Sequence, residues 1–273
     1  MNQEAAMRIH KMMSENEEIL FNIFFLILET DDSFWASDEK SYIIGQTNER
    51  LPLWIWIGER ADEEAYRQME RTLEERLALN PNLRVTGDEK RVEKLLAQVA
   101  VKKNVQYNSM VPMVIYRCDK VTNPKKATGH SIYSNATHKP ILERFITGMV
   151  HDLAHRPMNE GEAEGFAEAV AGSENLFLWE DEGAPVSMAM ITHRTPKYAR
   201  INTVYTDNTK RGKGYAGALM EEVTRRVLDE GRIPMLYTEQ DNVCSNATYR
   251  RVGYQCIGEL VEYCFSPKAM SFT

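Results

Sequence analysis

The chain has 273 residues, 43% of them hydrophobic, and carries 33 Lys and Arg against 40 Asp and Glu, a formal net charge of −7. That length fits two domains of ordinary size. The apolar share excludes a disordered chain, and the acidic balance argues against nucleic acid or a membrane surface as partner. Four cysteines, Cys118, Cys244, Cys256 and Cys264, share no C-x-x-C spacing, which removes the common zinc and redox motifs and fits a reducing cytoplasm.

In chain order, two helical stretches are predicted over residues 3–29. They contain the most apolar run of the sequence, Ile19 to Leu28. It is about half the roughly 20 residues that a bilayer span needs. Glu15, Glu17 and Glu18 precede it in place of the basic flank of a leader, so a buried helix is expected. Short strands follow near residues 34–36, 42–45 and 53–58, the last as the apolar run Leu53-Trp54-Ile55-Trp56-Ile57. A helix over 61–79 carries Tyr66, Met69, Leu73 and Leu77 on one face. A strand at 83–86, a helix from Gly87-Asp88 to Val101 and a strand at 111–116 complete the first half. The polar segment 119–126 is the expected joint, dividing the chain into 1–125 and 126–273.

The second half reads as helices over 138–153 and 159–171 and strands over 175–179, 185–192 and 199–206. A long helix over 212–230 is closed by Gly231. A strand at 233–238, a short helix at 245–252 closed by Gly253 and one or two strands over 254–265 end the chain. Both halves show the order α-α-β-β-β-α-β-α-β, which predicts two copies of one α/β fold. Where the second copy has Arg211-Gly212-Lys213-Gly214-Tyr215-Ala216-Gly217, the first has the net acidic Gly58-Glu59-Arg60-Ala61-Asp62-Glu63, a turn that would repel phosphate. The first copy is therefore expected to be degenerate.

The spacing of Gly212, Gly214 and Gly217 satisfies G-x-G-x-x-G, but its context is wrong for a dinucleotide fold. The polar loop 207–211 separates the strand from the first glycine, and only 56 residues follow Gly217, too few for the remaining strands. A P-loop fails as well, because Gly214 follows Lys213 where Ser or Thr is required. What remains is a strand, a glycine-rich turn with two bases and a long helix. That arrangement points backbone N–H groups and a helix dipole at a pyrophosphate.

These residues resemble the GNAT acyltransferase superfamily, which uses acetyl-CoA. Its R/Q-x-x-G-x-G/A motif is met by Arg211, Gly214 and Ala216. Its downstream N-x-x-A/S-x-x-x-Y-x-x-x-G-F/Y motif is met by Asn242, Ser245, Tyr249, Gly253 and Tyr254. The resemblance covers residues 128–265, while the first half carries neither motif. It implies a mixed, mostly antiparallel sheet flanked by helices. The amides of Gly212, Lys213, Gly214, Tyr215, Ala216 and Gly217, with Arg211, would hold the pyrophosphate. The strand Val204-Tyr205-Thr206 would lie along the pantetheine arm, with main-chain groups of Val204 and Thr206 facing it. Asn242 would contact the arm where two strands splay, and Asn246 is a second candidate. Helix capping is the alternative role for both asparagines.

The resemblance further implies an N-acetyltransferase that moves an acetyl group from acetyl-CoA to an amine of a small molecule or protein by direct attack on the thioester. Tyr249 would act as general acid toward the leaving thiolate, the alternative being a packing role. The glutamate some members carry five positions before the motif's Asn is Tyr237 here. Glu239 is then the nearest candidate base, with His193 or a water chain as alternatives. His151 and His155 stand i, i+4, but Asp152 occupies the place where H-E-x-x-H needs Glu, so no metal is expected. A CoA-binding regulatory or scaffold module that has lost turnover is the competing reading. The first half either covers the acceptor cleft or forms a homodimer.

Overall fold

The computed structural model describes residues 3–122, 127–153 and 161–268. The chain divides into two compact units. One takes Met1–Ile115, Thr238–Asp241 and Ile257–Thr273, and the other Tyr116–Tyr237 and Asn242–Cys256.

The first unit opens with helices α1 (Gln3–Met12), α2 (Glu15–Leu20) and α3 (Ile23–Glu29). The apolar run is thus split between two short helices, with Ile19, Phe24, Phe25 and Ile27 buried. Ser14 starts α2 through a capping box with Glu17. Glu17 also accepts from the indole of Trp56 at 3.0 Å. Strands β1 (Phe34–Ser37), β2 (Tyr42–Gln46) and β3 (Leu53–Ile57) form an antiparallel meander. Helix α4 (Glu63–Leu79) then crosses over to β4 (Arg84–Gly87), which pairs with β3 in parallel. Helix α5 (Glu89–Lys103), β5 (Val105–Ser109) and β6 (Met113–Arg117) follow. Met69, Leu73 and Leu77 of α4 and Val92, Leu95, Leu96 and Val99 of α5 bury their apolar faces against Leu53, Ile55 and Ile57.

The second unit repeats the plan. Strand β7 (His130–Tyr133) and helices α6 (Lys139–Leu153) and α7 (Glu162–Val170) precede the meander β8 (Leu176–Asp181), β9 (Ala184–Arg194) and β10 (Tyr198–Thr206). Helix α8 (Tyr215–Asp229) crosses over to β11 (Ile233–Glu239), which pairs with β10 in parallel. Helix α9 (Val243–Val252) and β12 (Gln255–Pro267) end the fold. Leu142, Phe145 and Ile146 of α6 pack with Ala163 and Ala167 of α7 against Leu176, Leu178, Met188 and Tyr205. Helix α8 lies on β8, β9 and β10 and buries Leu219, Met220, Val223 and Val227. In both halves a meander leads through a crossover helix into a parallel strand, so the fold is a tandem of mixed, mostly antiparallel copies flanked by helices.

Two features depart from the expected order. Strands β5 and β7 lie where no strand is predicted; both are short, and only β5 alternates, with Val105 and Tyr107 packed on the core. The last strand, read as closing the second copy, joins the sheet of the first unit. Val261 to Cys264 pair antiparallel with β4, and Tyr263 to Pro267 pair with β5. Its Val261, Tyr263 and Phe265 complete the first unit's core. The alternation that marks β12 as a strand says nothing about which edge it adds to. The change of unit falls at Ile115/Tyr116, inside β6, ahead of the polar segment 119–126, of which 123–126 lie outside the described residues.

Candidate active site

The parallel ladder between β10 and β11 is short. It runs Tyr198 to Ile233, Ala199 to Pro234 and Arg200 to Met235, and then stops. Strand β10 continues to Thr206, so residues 201–206 present an edge that β11 does not pair. On its other edge β10 carries a bulge. Asn202 faces Met190 and Tyr205 faces Met188, three steps on one strand against two on the other. Thr203 takes up the extra residue at φ 56°, a left-handed conformation uncommon for a β-branched residue, and the Asn202 side chain accepts from its N–H at 2.7 Å. Strain of this kind persists where the surroundings over-determine it and clusters at functional sites.

Beyond Thr206 the chain makes the turn singled out in the sequence. Asp207 caps a single 3₁₀ turn, Asn208–Lys210, by accepting from Thr209 N at 2.9 Å, and pairs with Arg144 at 2.9 Å. These bonds hold its carboxyl below the usual range, the Thr209 hydroxyl contributing most. Gly212 (φ 81°) and Gly214 (φ 88°) are both left-handed, and a Cβ at Gly212 would meet nothing within 4 Å. Gly214 is the N-cap of α8 and has no side chain with which to cap it. The first helical bond is Ala218 N to Gly214 O at 3.0 Å. Among the described residues, the N–H groups of Gly212 to Gly217 have no backbone acceptor. The start of α8 is therefore a row of backbone donors without backbone acceptors, at the positive end of a helix dipole.

The side chains around this row are held firmly. The Tyr215 ring is buried and its hydroxyl donates to Asp181, which lowers the Asp181 pKa; Lys213 and Lys210 act in the same direction. Arg211 does not aim at the donor row. Its Nε donates to Thr206 O at 3.1 Å, its guanidinium lies 5.3 Å from the centre of the Tyr205 ring, and its Nη2 pairs with Asp152 at the end of α6. The Thr206 carbonyl, expected to face a ligand, is thus already an acceptor for Arg211. The tyrosine between, Tyr205, packs on Phe145 with ring centres 5.7 Å apart.

Helix α9 starts past the end of β11. Asn242 is its N-cap, accepting from Ser245 N at 3.1 Å. Asn246, 4% exposed, donates from Nδ2 to Asn242 O at 2.8 Å and accepts from the Tyr116 hydroxyl at 2.8 Å. Both side chains therefore do capping and bracing work in this structure. Tyr249 is 7% exposed and lies between Tyr116 and Tyr254, at ring-centre distances of 6.3 and 6.0 Å. Burial pushes its hydroxyl up to about 12, with the Ser245 side chain opposing the shift. At neutral pH it is a protonated donor. Aromatic side chains on a helix lean toward the preceding turn, which directs this one toward Ser245 and the N-terminal end of α9.

Glu239 ends β11, half-buried, in the segment that groups with the first unit. His193 is buried in β9 opposite Arg200. His151 is exposed on α6, and His155 lies outside the described residues. Among the described residues no group of three His, Cys, Asp or Glu is placed to hold a metal ion, and no helix is long and apolar enough to cross a membrane. Asp152, Thr203 and Tyr116 were not picked out by sequence reasoning. The first two have no motif, and Tyr116 stands in the half without one.

The family description "Acetyltransferase (GNAT) family" matches residues 145–254. That span runs from α6 through the strand splay and the glycine turn to Tyr254. Two solved structures share the fold over most of the chain. An acetyltransferase of the GNAT family from Colwellia psychrerythraea is 12% identical, with 89% of this chain and 88% of that one covered, at a TM-score of 0.60. A GCN5-related N-acetyltransferase from Kribbella flavida is 14% identical, with 95% and 98% covered, at a TM-score of 0.63. No curated protein matches in sequence. GNAT domains transfer an acyl group from acyl-CoA. Residues 145–254 of this chain, with the end of the β10–β11 ladder and the glycine-led helix, match the GNAT acetyltransferase family.

Proposed function

We propose that the second unit transfers an acetyl group from acetyl-CoA to an amine of a small molecule or protein by direct attack on the thioester. The observation that carries this reading is the coincidence of three features: the end of the ladder at Arg200 and Met235, the donor row at Gly212 to Gly217, and Tyr249 on the helix that follows β11. The donor set fits the coenzyme. Glycines leave the amides of the turn open to a pyrophosphate, with Lys213 beside them, and the free edge of β10 at Val204 to Thr206 suits an amide-bearing arm.

In the reaction the amine nitrogen bonds to the thioester carbonyl carbon as the C–S bond breaks. The sulfur takes the bonding pair, and Tyr249 donates its proton there. The proton lost by the amine leaves through Glu239, His193 or a water chain, Glu239 being the candidate tested first as Glu239→Gln. Positioning of both reactants supplies much of the acceleration, and a general acid adds typically ~10²–10⁴-fold. The first unit takes no part in binding the coenzyme. Its corresponding turn ends in Asp62, whose carboxylate already caps α4 by accepting from Ala65 N at 2.9 Å.

The test is thiol release from acetyl-CoA with a panel of amines. Acceptor-dependent release that falls about 10²-fold in Tyr249→Phe supports the reading. Tight binding of acetyl-CoA with no acceptor-dependent thiol would replace it with a coenzyme-binding regulatory module.

A further inference from the structure

Three tyrosines of the second unit are in contact, Tyr249 meeting Tyr116 with a tilted ring and Tyr254 edge-on. Tyr116, from the end of β6, is fully buried and donates to Asn246 Oδ1 at 2.8 Å. Its ring is also covered by the Arg250 guanidinium, 5.9 Å from the ring centre. Tyr254, on the far side, shares a hydrogen bond of 2.8 Å with the buried Thr224 hydroxyl. Tyr249 lies between them and has ring contacts with both. Each phenol oxygen has a partner: Asn246 for Tyr116, Thr224 for Tyr254 and the Ser245 side chain for Tyr249. The Tyr116 hydroxyl helps to fix one wall of the Tyr249 slot. It does so through Asn246, which also ties the first turn of α9 together by donating to Asn242 O.

We propose that Tyr116 is a positioning residue. Its hydrogen bond to Asn246 would fix the Tyr116 ring against Tyr249 and so hold the Tyr249 hydroxyl in line with the sulfur of the coenzyme. The inference rests on the acid role proposed above for Tyr249. Losing the Tyr116 oxygen removes this donor from the buried Asn246 Oδ1, and the side chain is then less firmly fixed. This loosens the wall and the first turn of α9 together. No sequence motif points to Tyr116, because it precedes the family's motifs by about ninety residues or more and owes its place to the tertiary structure alone.

The readout is the ionisation of the thiol of CoA bound to the protein, followed by the ultraviolet absorbance of the thiolate. It needs no acceptor. A hydrogen bond from Tyr249 to the sulfur stabilises the thiolate and lowers the thiol pKa below that of free CoA. In Tyr249→Phe the bound thiol is expected to rise by about one unit or more. In Tyr116→Phe it should rise by at least about half as much, with CoA affinity nearly unchanged. The double variant should match Tyr249→Phe with no further shift, since Tyr116 acts through Tyr249. If Tyr116→Phe does not fold, Asn246→Ala breaks the same bond from the other side, and its bound thiol should rise likewise. A Tyr116→Phe thiol that titrates like wild type, or a shift that persists in the Tyr249→Phe background, overturns the positioning role alone. A Tyr249→Phe thiol that titrates like wild type overturns the acid role and this inference with it.

Discussion

Arg200 and Met235 are the last Cα partners in the parallel ladder of β10 and β11, and the candidate site begins where their pairing stops. Up to this pair the two strands satisfy each other's backbone groups. Beyond it, β10 keeps an unpaired edge, and the chain turns at Gly212 and Gly214 into a helix with no side-chain cap. A sheet and a helix each leave polar backbone groups unspent in one region of the second unit, a cost that a ligand can offset.

The glycine turn predicts a graded response. Gly212→Ala adds a methyl to open space and pays mainly for its left-handed backbone, roughly 1–2 kcal/mol. Gly214→Glu has the same strain and adds a carboxylate at the donor row. Acyl-CoA affinity measured by calorimetry should fall at least about tenfold more in Gly214→Glu than in Gly212→Ala, on the scale of roughly 1.5–3 kcal/mol per charged hydrogen bond.

Asp152 competes for Arg211. Their ion pair is partly exposed, so Asp152→Asn should change stability by no more than about 1 kcal/mol. It also frees the guanidinium from a carboxylate. Acyl-CoA affinity is expected to rise, most clearly at low salt. Equal or weaker binding in Asp152→Asn would show that Arg211 is a brace for Tyr205 and Thr206 only.

Helix α6 comes so close to β10 that a Cβ at Gly148 would collide with the Tyr205 hydroxyl. Tyr205 is itself packed on Phe145 and under Arg211 and cannot move aside cheaply. Gly148→Ala should cost about 1–3 kcal/mol in chemical denaturation. Combining it with Tyr205→Phe should recover part of that loss, because the ring carbon behind the hydroxyl would still stand 2.8 Å from the new methyl.

Tyr249 sets an alkaline limit. Its folded pKa of about 12 lies above the unfolded value near 10, so the folded state holds the proton more tightly. The associated stability is complete below pH 10 and is lost as pH rises toward 12. Tyr249→Phe should make the fall of unfolding free energy over that interval shallower by up to about 2–3 kcal/mol. Tyr254, raised by burial, and Tyr263, also at about 12, contribute to the slope that remains. Catalysis by the wild type should show no loss from Tyr249 ionisation below pH 10.

Much of this protein was legible locally. The helices α4, α5 and α8 follow from apolar spacing and from end signals such as Gly87-Asp88 and Gly231. The turn at Gly212 and Gly214 follows because left-handed backbone needs glycine and a phosphate needs bare amides. The GNAT resemblance followed from two such local signatures at the right separation. The sequence even showed the doubled order of elements, because each copy repeats its own periodicities. What it left open depends on partners distant in the chain. Whether β12 serves the second copy or the first is decided by which sheet edge needs Val261, Tyr263 and Phe265 to close its core. Whether Arg211 faces a ligand or Asp152 is decided by where α6 ends. That Tyr116 supports Tyr249 follows from β6 ending in the second unit, 130 positions from Asn246. Local chemistry determines which backbone a segment adopts. Only packing determines which side chains then share a site, because that choice is settled by volume and buried hydrogen bonds among residues that no spacing in the sequence relates.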